Sequence, residues 1–268
     1  MFILILQSFT DEYHHPHPHP QDLSKISTLE NLQRWSTEEK DSLVSNMIES
    51  HGWCQVNQTS NPSKTQVPDT QLHFGRVAID TELTKNFNFN PEIYEQYLNS
   101  YLSDGEQLTV ICFPTLLHPK STGEITLASR DPFIHPIINP NYLQNQGDVQ
   151  TLVEACKLVD KICHTEPLNN TVRSLAKEMN GTETIDDEDN FWKSYVRKHT
   201  VTAYHPVGTC KTGKQQDEMT VVTPDTKVKG VTGLRVINAS ITPSIISGNT
   251  NIPTIAIAER AADLIKNI

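Results

Sequence analysis

Two side chains near the end of the chain have the types needed for acid–base work on a hydroxyl group. The first is His205, in Tyr204-His205-Pro206-Val207-Gly208-Thr209-Cys210. Imidazole takes up a proton near neutral pH without heavy tuning. Pro206 stiffens the backbone beside it, and Gly208 permits a close backbone approach on the next turn. A histidine before proline is more often structural than catalytic, so it needs a partner. Asn249, in Ser247-Gly248-Asn249-Thr250-Asn251, offers one. Its amide carries a donor and an acceptor, enough to hold a substrate hydroxyl or a developing alkoxide, although Asn beside Gly is also ordinary turn chemistry. Pro253 then opens a helix with an apolar stripe at Ile255, Ile257, Ala258, Ala261, Ala262, Leu264 and Ile265. The free N–H groups around Asn251 to Thr254 make its start an anion-favouring pole, suited to a group that becomes negative during turnover; the plain alternative is a helix that only packs a core.

The totals bound what can surround this pair. A chain of 268 residues with 36% hydrophobic content can bury the core of one large domain or two small ones. Its net charge of −10, with acids dispersed apart from Asp186-Asp187-Glu188-Asp189, excludes a nucleic-acid footprint. Met1 to Leu6 is too short to span a bilayer and lacks a basic start or a cleavage pattern, so neither a membrane span nor a signal peptide is expected. Sequons at Asn57, Asn169, Asn180 and Asn238 suit a secreted protein. The five cysteines lack CxxC spacing, which argues against a zinc cluster, and their odd number leaves at least one unpaired within the chain. The His/Pro tract from His14 to Pro20 reads as an extended solvated tail, and no metal ligand is assigned.

The elements that must position the pair follow from hydrophobic period. Residues 1–28 read as a flexible His/Pro-rich leader. A helix is expected from Leu29 to Ser50, with Ser36 and Glu39 as a capping box. Gln71 to Ala78 and Leu108 to Phe113 read as strands, with Pro114 to Pro119 as a forced connection, and Gly123 to Ser129 as a half-buried strand. Arg130 to Tyr142, with three prolines, is no helix interior. Asp148 to His164 carries the stripe of a helix packed on a sheet, with Cys156 and Cys163 as small apolar fillers. A helix from Glu188 to Lys198, with Phe191, Trp192, Tyr195 and Val196 inward, delivers the chain to His205. Leu234 to Ile237 reads as a short buried strand, one αβ layer with the terminal helix. The fold class is therefore α+β with a mainly antiparallel sheet and packed helices.

These residues together resemble the C-terminal half of the glucose-methanol-choline (GMC) oxidoreductases, the insect glucose-dehydrogenase-like members in particular. The resemblance rests on Pro68-Asp69-Thr70-Gln71-Leu72-His73-Phe74, on Pro114 to Ser121 with Gly123-Glu124-Ile125, and on Asp131-Pro132-Phe133 with Asn139 to Leu143. It continues through His205 to Lys211, Gly230 to Val236 and Ser247 to Thr254, and covers roughly residues 30 to 268. It implies an FAD enzyme that oxidises the CH–OH group of an alcohol or sugar, with quinone or oxygen as electron acceptor. His205 matches the family's base, and Asn249 the His or Asn that partners it. Asn238, Ala239, Thr250, Asn251, Pro253 and Thr254 match positions lying against FAD.

By the same resemblance, residues 29–223 form the substrate-binding domain, and 224–268 a strand–helix segment of an FAD-binding α/β domain whose N-terminal part is missing. None of the eleven glycines forms the phosphate-cradling GxGxxG loop. Thr212 and Asn238 stand where the family's methionine and aspartate are usual. A second expectation stands beside the first: a truncated or degenerate fragment, non-catalytic and unable to hold FAD alone.

Overall fold

The computed structural model describes residues 2–3, 5–9, 29–38, 48–57, 67–76, 108–166, 168–170, 172–175 and 187–266. The His/Pro tract lies outside them. In chain order the elements are β1 (Phe2–Ile3), β2 (Ile5–Phe9), α1 (Leu29–Glu38), β3 (Ile48–Cys54), β4 (Thr70–Arg76), β5 (Leu108–Leu116), β6 (Glu124–Thr126) and β7 (Ile137–Asn139). They continue with α2 (Gln146–Cys163), β8 (Val172–Leu175), α3 (Glu188–His199), β9 (Thr200–Val201) and α4 (Asn251–Lys266).

Two compact units result: residues 1–116 with 149–201, and residues 117–148 with 202–268. This division differs from the boundaries expected at residues 28 and 223. Composition drew the first boundary and the family resemblance the second, whereas backbone hydrogen bonds tie residues 208–212 to Ser240 and Ile241 and so keep 202–223 with the terminal segment.

The first unit is built on a seven-stranded sheet with the path β3-β4-β5-β1-β9, β2 pairing both β5 and β8. All of its pairings are antiparallel. Strand β5 lies inside the sheet, with Thr70 to Arg76 of β4 paired in register against Leu116 to Val110. The strand runs through Pro114, contrary to the expected break. Proline donates no ladder hydrogen bond, and Pro114 sits where the neighbour on the far side changes from β1, paired at Thr115, to β2, paired at Cys112. Strands β1 and β2 also correct the expectation of a loose leader over their span.

Helix α2 buries Val149, Leu152, Val153, Ala155, Cys156, Val159 and Cys163, as its stripe requires. Side chains of Leu or Val buried this fully each contribute about 1.5–3 kcal/mol of transfer free energy. The thiols of Cys156 and Cys163 lie near Cys112 of β5, and burial together with these neighbours pushes the Cys112 thiol well up. Asn57 donates to Thr151 of α2 (2.7 Å) and to Asp69 (3.0 Å), joining the helix to the β3–β4 hairpin. All five cysteines are free thiols.

Helix α3 is capped by Asp187, which accepts from the Asn190 amide, and carries acids in its first turn and Arg197, Lys198 and His199 in its last. Trp192, Tyr195 and Val196 are buried as expected, while Phe191 is half-buried.

Helix α1 is described over Leu29–Glu38, and Ile48–Cys54 is a strand, where the expected helix ran on to Ser50. Ser36 and Thr37 donate back to the Gln33 carbonyl (2.8 and 2.9 Å), bonds made inside a helix, so Ser36 is no N-cap.

The second unit holds the β6–β7 hairpin and α4. Strand β6 is exposed throughout rather than half-buried. Leu234 to Ile237 forms no strand: Leu234 is exposed, and the only ladder contact nearby among the described residues is the bridge between Lys227 and Arg235. Two backbone hydrogen bonds, from Val228 N–H to the Leu234 carbonyl (3.0 Å) and from Val236 N–H to the Thr226 carbonyl (3.1 Å), make that one bridge, and no longer ladder forms among the described residues. Of the α4 stripe only Ala261 is buried, and Ile252 and Ile255 are exposed.

Candidate active site

The site lies in the second unit and begins with the backbone that carries His205. Tyr204 has φ +59°, a left-handed conformation costly for an aromatic residue, of order 1–3 kcal/mol. Its N–H donates to Thr202 Oγ1 (3.0 Å), and the Tyr142 hydroxyl donates to the same oxygen (3.0 Å). The strained turn that aims His205 is thus held from two sides. Beyond it, Gly208 N–H and Cys210 N–H both donate to the Ser240 carbonyl (3.1 and 3.0 Å), and Thr212 N–H to Ile241 (2.8 Å). Gly208 at φ +90° makes this turn, where a side chain would be strained.

His205 is half-buried, and burial lowers its pKa from the ordinary histidine value. That shift favours the neutral ring, the state a proton acceptor needs. Its Nδ1 shares a hydrogen bond of 3.0 Å with Thr250 Oγ1, which leaves Nε2 for chemistry.

That bond brings the two expected loops together. Thr250 follows Asn249, so the turn carrying the amide is tied to the imidazole through its neighbour. Asn249 is itself exposed. Thr250 also anchors α4: its carbonyl accepts from Thr254 N–H (3.1 Å) and Thr254 Oγ1 (2.7 Å). Asn251 is the first residue of α4 and Pro253 the third, so the Pro-started helix is where the sequence puts it.

Asn238 caps the 3-10 turn Ala239–Ile241, accepting from Ser240 N–H (2.9 Å) and Ser240 Oγ (2.5 Å). Its amide therefore has a local task, and the turn it caps is the one that holds residues 208–212. Sequence reasoning passed over a second histidine. His118 Nε2 lies 3.0 Å from Ser247 Oγ, at the other end of the loop that ends in Thr250. No local signal joins residues so far apart in the chain.

A half-buried imidazole hydrogen-bonded at Nδ1 thus stands beside the loop that carries Asn249 and the start of α4. The GMC oxidoreductase family matches residues 119–258, just over half of the chain, and the chain belongs to that family. It is 37% identical over 205 residues to a glucose dehydrogenase [FAD, quinone] of Drosophila pseudoobscura pseudoobscura, and 36% identical over 200 residues to an oxygen-dependent choline dehydrogenase of Escherichia coli. These alignments cover 76% and 74% of this chain but 31% and 32% of the relatives, so the chain spans about a third of their length. Among solved structures it is similar to a formate oxidase of Aspergillus oryzae, with TM-score 0.70 and 21% identity over 99% of this chain and 46% of that one. That likeness carries the fold.

Proposed function

We propose that this chain forms the substrate-side wall of an FAD-dependent oxidoreductase acting on the CH–OH group of an alcohol or sugar. The observation that carries this reading is the Thr250–His205 hydrogen bond, which joins the base to the loop of its amide partner. For His205 to act as base, Nδ1 must carry the ring proton and donate it to Thr250 Oγ1, so that the Nε2 lone pair faces the substrate. Nε2 then takes the hydroxyl proton, and the Asn249 amide donates to the oxygen as charge develops there. Bound FAD would supply the two-electron acceptor for the hydride.

The residues at the start of α4 fit the ring end of that cofactor. Asn251 and Ile252 are exposed, the helix dipole presents its positive end there, and a Cβ at Gly248 would meet nothing within 4 Å, leaving the approach open. Ala239, Thr250, Asn251, Pro253 and Thr254 would line it, with Asn238 behind. The exposed apolar residues Ile252, Ile255 and Ile265 of α4 support assigning residues 224–268 to an FAD-binding domain completed by sequence outside this chain. Residues 29–223 are then the substrate-binding portion, the electron acceptor is a quinone or oxygen, and the sequons favour a secreted protein.

The second reading, a fragment that cannot hold FAD alone, is favoured by the lack of a GxGxxG loop among the eleven glycines. Adding FAD to the purified chain separates the two. Yellow protein-bound flavin, bleached by an alcohol or sugar, supports activity in this chain; its absence restricts activity to a longer protein. In whichever protein binds flavin, His205→Ala lowers turnover about 10²–10⁴-fold with flavin retained. Unchanged turnover removes His205 as the base.

A further inference from the structure

We propose that His118 is a positioning residue of this site, holding the Ser247–Thr250 loop from the end opposite His205. The proposal rests on the functional reading above for its purpose, and on geometry alone for its substance. The loop has two side-chain anchors at its ends: Ser247 Oγ to His118 Nε2 and Thr250 Oγ1 to His205 Nδ1, each 3.0 Å. Between them a Cβ at Gly248 would meet nothing within 4 Å, and Asn249 is exposed, so little packing restrains the middle.

The two anchors differ in what stands behind them. His118 follows the buried pair Leu116 and Leu117. Two residues further on, the backbone N–H groups of Lys120 and Ser121 both donate to the buried Asp148 carboxylate (2.8 Å each), and Ser121 Oγ adds a third bond (2.6 Å). Asn145 N–H in turn donates to Ser121 Oγ (3.0 Å). The imidazole of His118 is therefore mounted between two fixed points, and the loop is the partner that would move. Releasing Ser247 frees the segment that carries both the Asn249 amide and the Thr250 hydroxyl. The effect must then reach His205, although His118 makes no bond to it.

The test uses the chain as it stands, labelled with 15N. Long-range proton–nitrogen spectra of the histidine rings report each tautomer, and hydrogen exchange reports the amides of Gly248 to Thr250. Losing one hydrogen bond of ordinary strength raises loop exchange about 5-fold. In His118→Ala and in Ser247→Ala the His205 ring signals are expected to move towards a mixture of tautomers, with that faster exchange. His118→Gln, which can still bond Ser247, is expected to restore both. Ser247→Ala removes a single oxygen from an exposed side chain, so it keeps the test decisive where His118→Ala disturbs folding. If both alanine variants leave the His205 signals and the loop exchange as they were, the contact is a surface bond and the proposal falls. The measurement needs neither flavin nor turnover, so its failure is distinct from failure of the functional reading.

Discussion

The mount beneath His118 makes a quantitative prediction. Asp148 is 2% exposed and accepts three hydrogen bonds, from Lys120 N–H, Ser121 N–H and Ser121 Oγ. Asp148→Ala leaves the two backbone donors without their acceptor. A buried unsatisfied donor costs about 1–3 kcal/mol. Lys120 is exposed and Ser121 half-buried, so water recovers part of this and the lower half of the range applies to each. Asp148 also lies in the first turn of α2, where a carboxylate contributes about 0.3–1 kcal/mol against the helix dipole. The sum is about 3 kcal/mol. Asp148→Asn keeps one acceptor oxygen but turns an NH2 towards a donor, and should cost about half as much. Urea unfolding followed by tryptophan fluorescence measures both. A loss below about 0.5 kcal/mol for the alanine variant, or equal losses for the two, would refute the hydrogen-bond argument.

Two further outcomes follow from burial and steric contact. His199 and His205 are both held below the ordinary histidine pKa by burial, His199 while stacked on Tyr195 with ring centroids 4.1 Å apart. Below about pH 6.5 the unfolded chain binds protons that the folded chain refuses, so stability is full above that value and is lost as pH falls through the window beneath it. The urea midpoint should drop on acidification through that window, and His199→Gln should flatten the slope; a midpoint that rises, or a slope the variant leaves unchanged, contradicts the assignment. Gly123→Ala places a methyl 2.2 Å from the Asn139 carbonyl and 2.7 Å from Pro140, both backbone, so the β6–β7 hairpin must shift at a cost of about 1–3 kcal/mol or more. Thermal melting tests this, and a neutral variant would mean that the hairpin yields easily.

Helices α2 and α3 were legible because each declares itself locally: a long apolar stripe in one, an acidic start and aromatic face in the other. The stretch from Leu29 to Ser50 misled because its apolar residues satisfy a helical period, while pairing of Ser50 to Cys54 with Thr70 to Phe74 pulls its end into the sheet. Pro114 was read as a break by a rule that holds only where both neighbours demand a donor. Leu234 to Ile237 has the residues of a strand but meets residues 226–228 at a single bridge, too short a pairing to count as a ladder. In the candidate site the residue types at positions 205 and 249 were legible, and their joining was not, since it passes through a threonine assigned to the cofactor. His118 could not be found at all, because its contact with Ser247 is a property of the fold.

Thr250 carries two proposed tasks, and hydrogen-bond donors decide whether they are compatible. A hydroxyl has one proton to give and two lone pairs to receive. If Thr250 gives its proton to His205 Nδ1, then Nε2 holds the ring proton, the imidazole cannot act as base, and the threonine has no donor left for a cofactor. If Thr250 receives the proton from Nδ1, then Nε2 is free to accept and the hydroxyl can still donate to a bound group beside α4. One tautomer leaves Nε2 able to act as base and the other does not, while either leaves the hydroxyl a lone pair for a donor on a bound group. The proposed base role thus rests on this single 3.0 Å bond, which makes the protonated nitrogen of His205 the most informative atom in the chain.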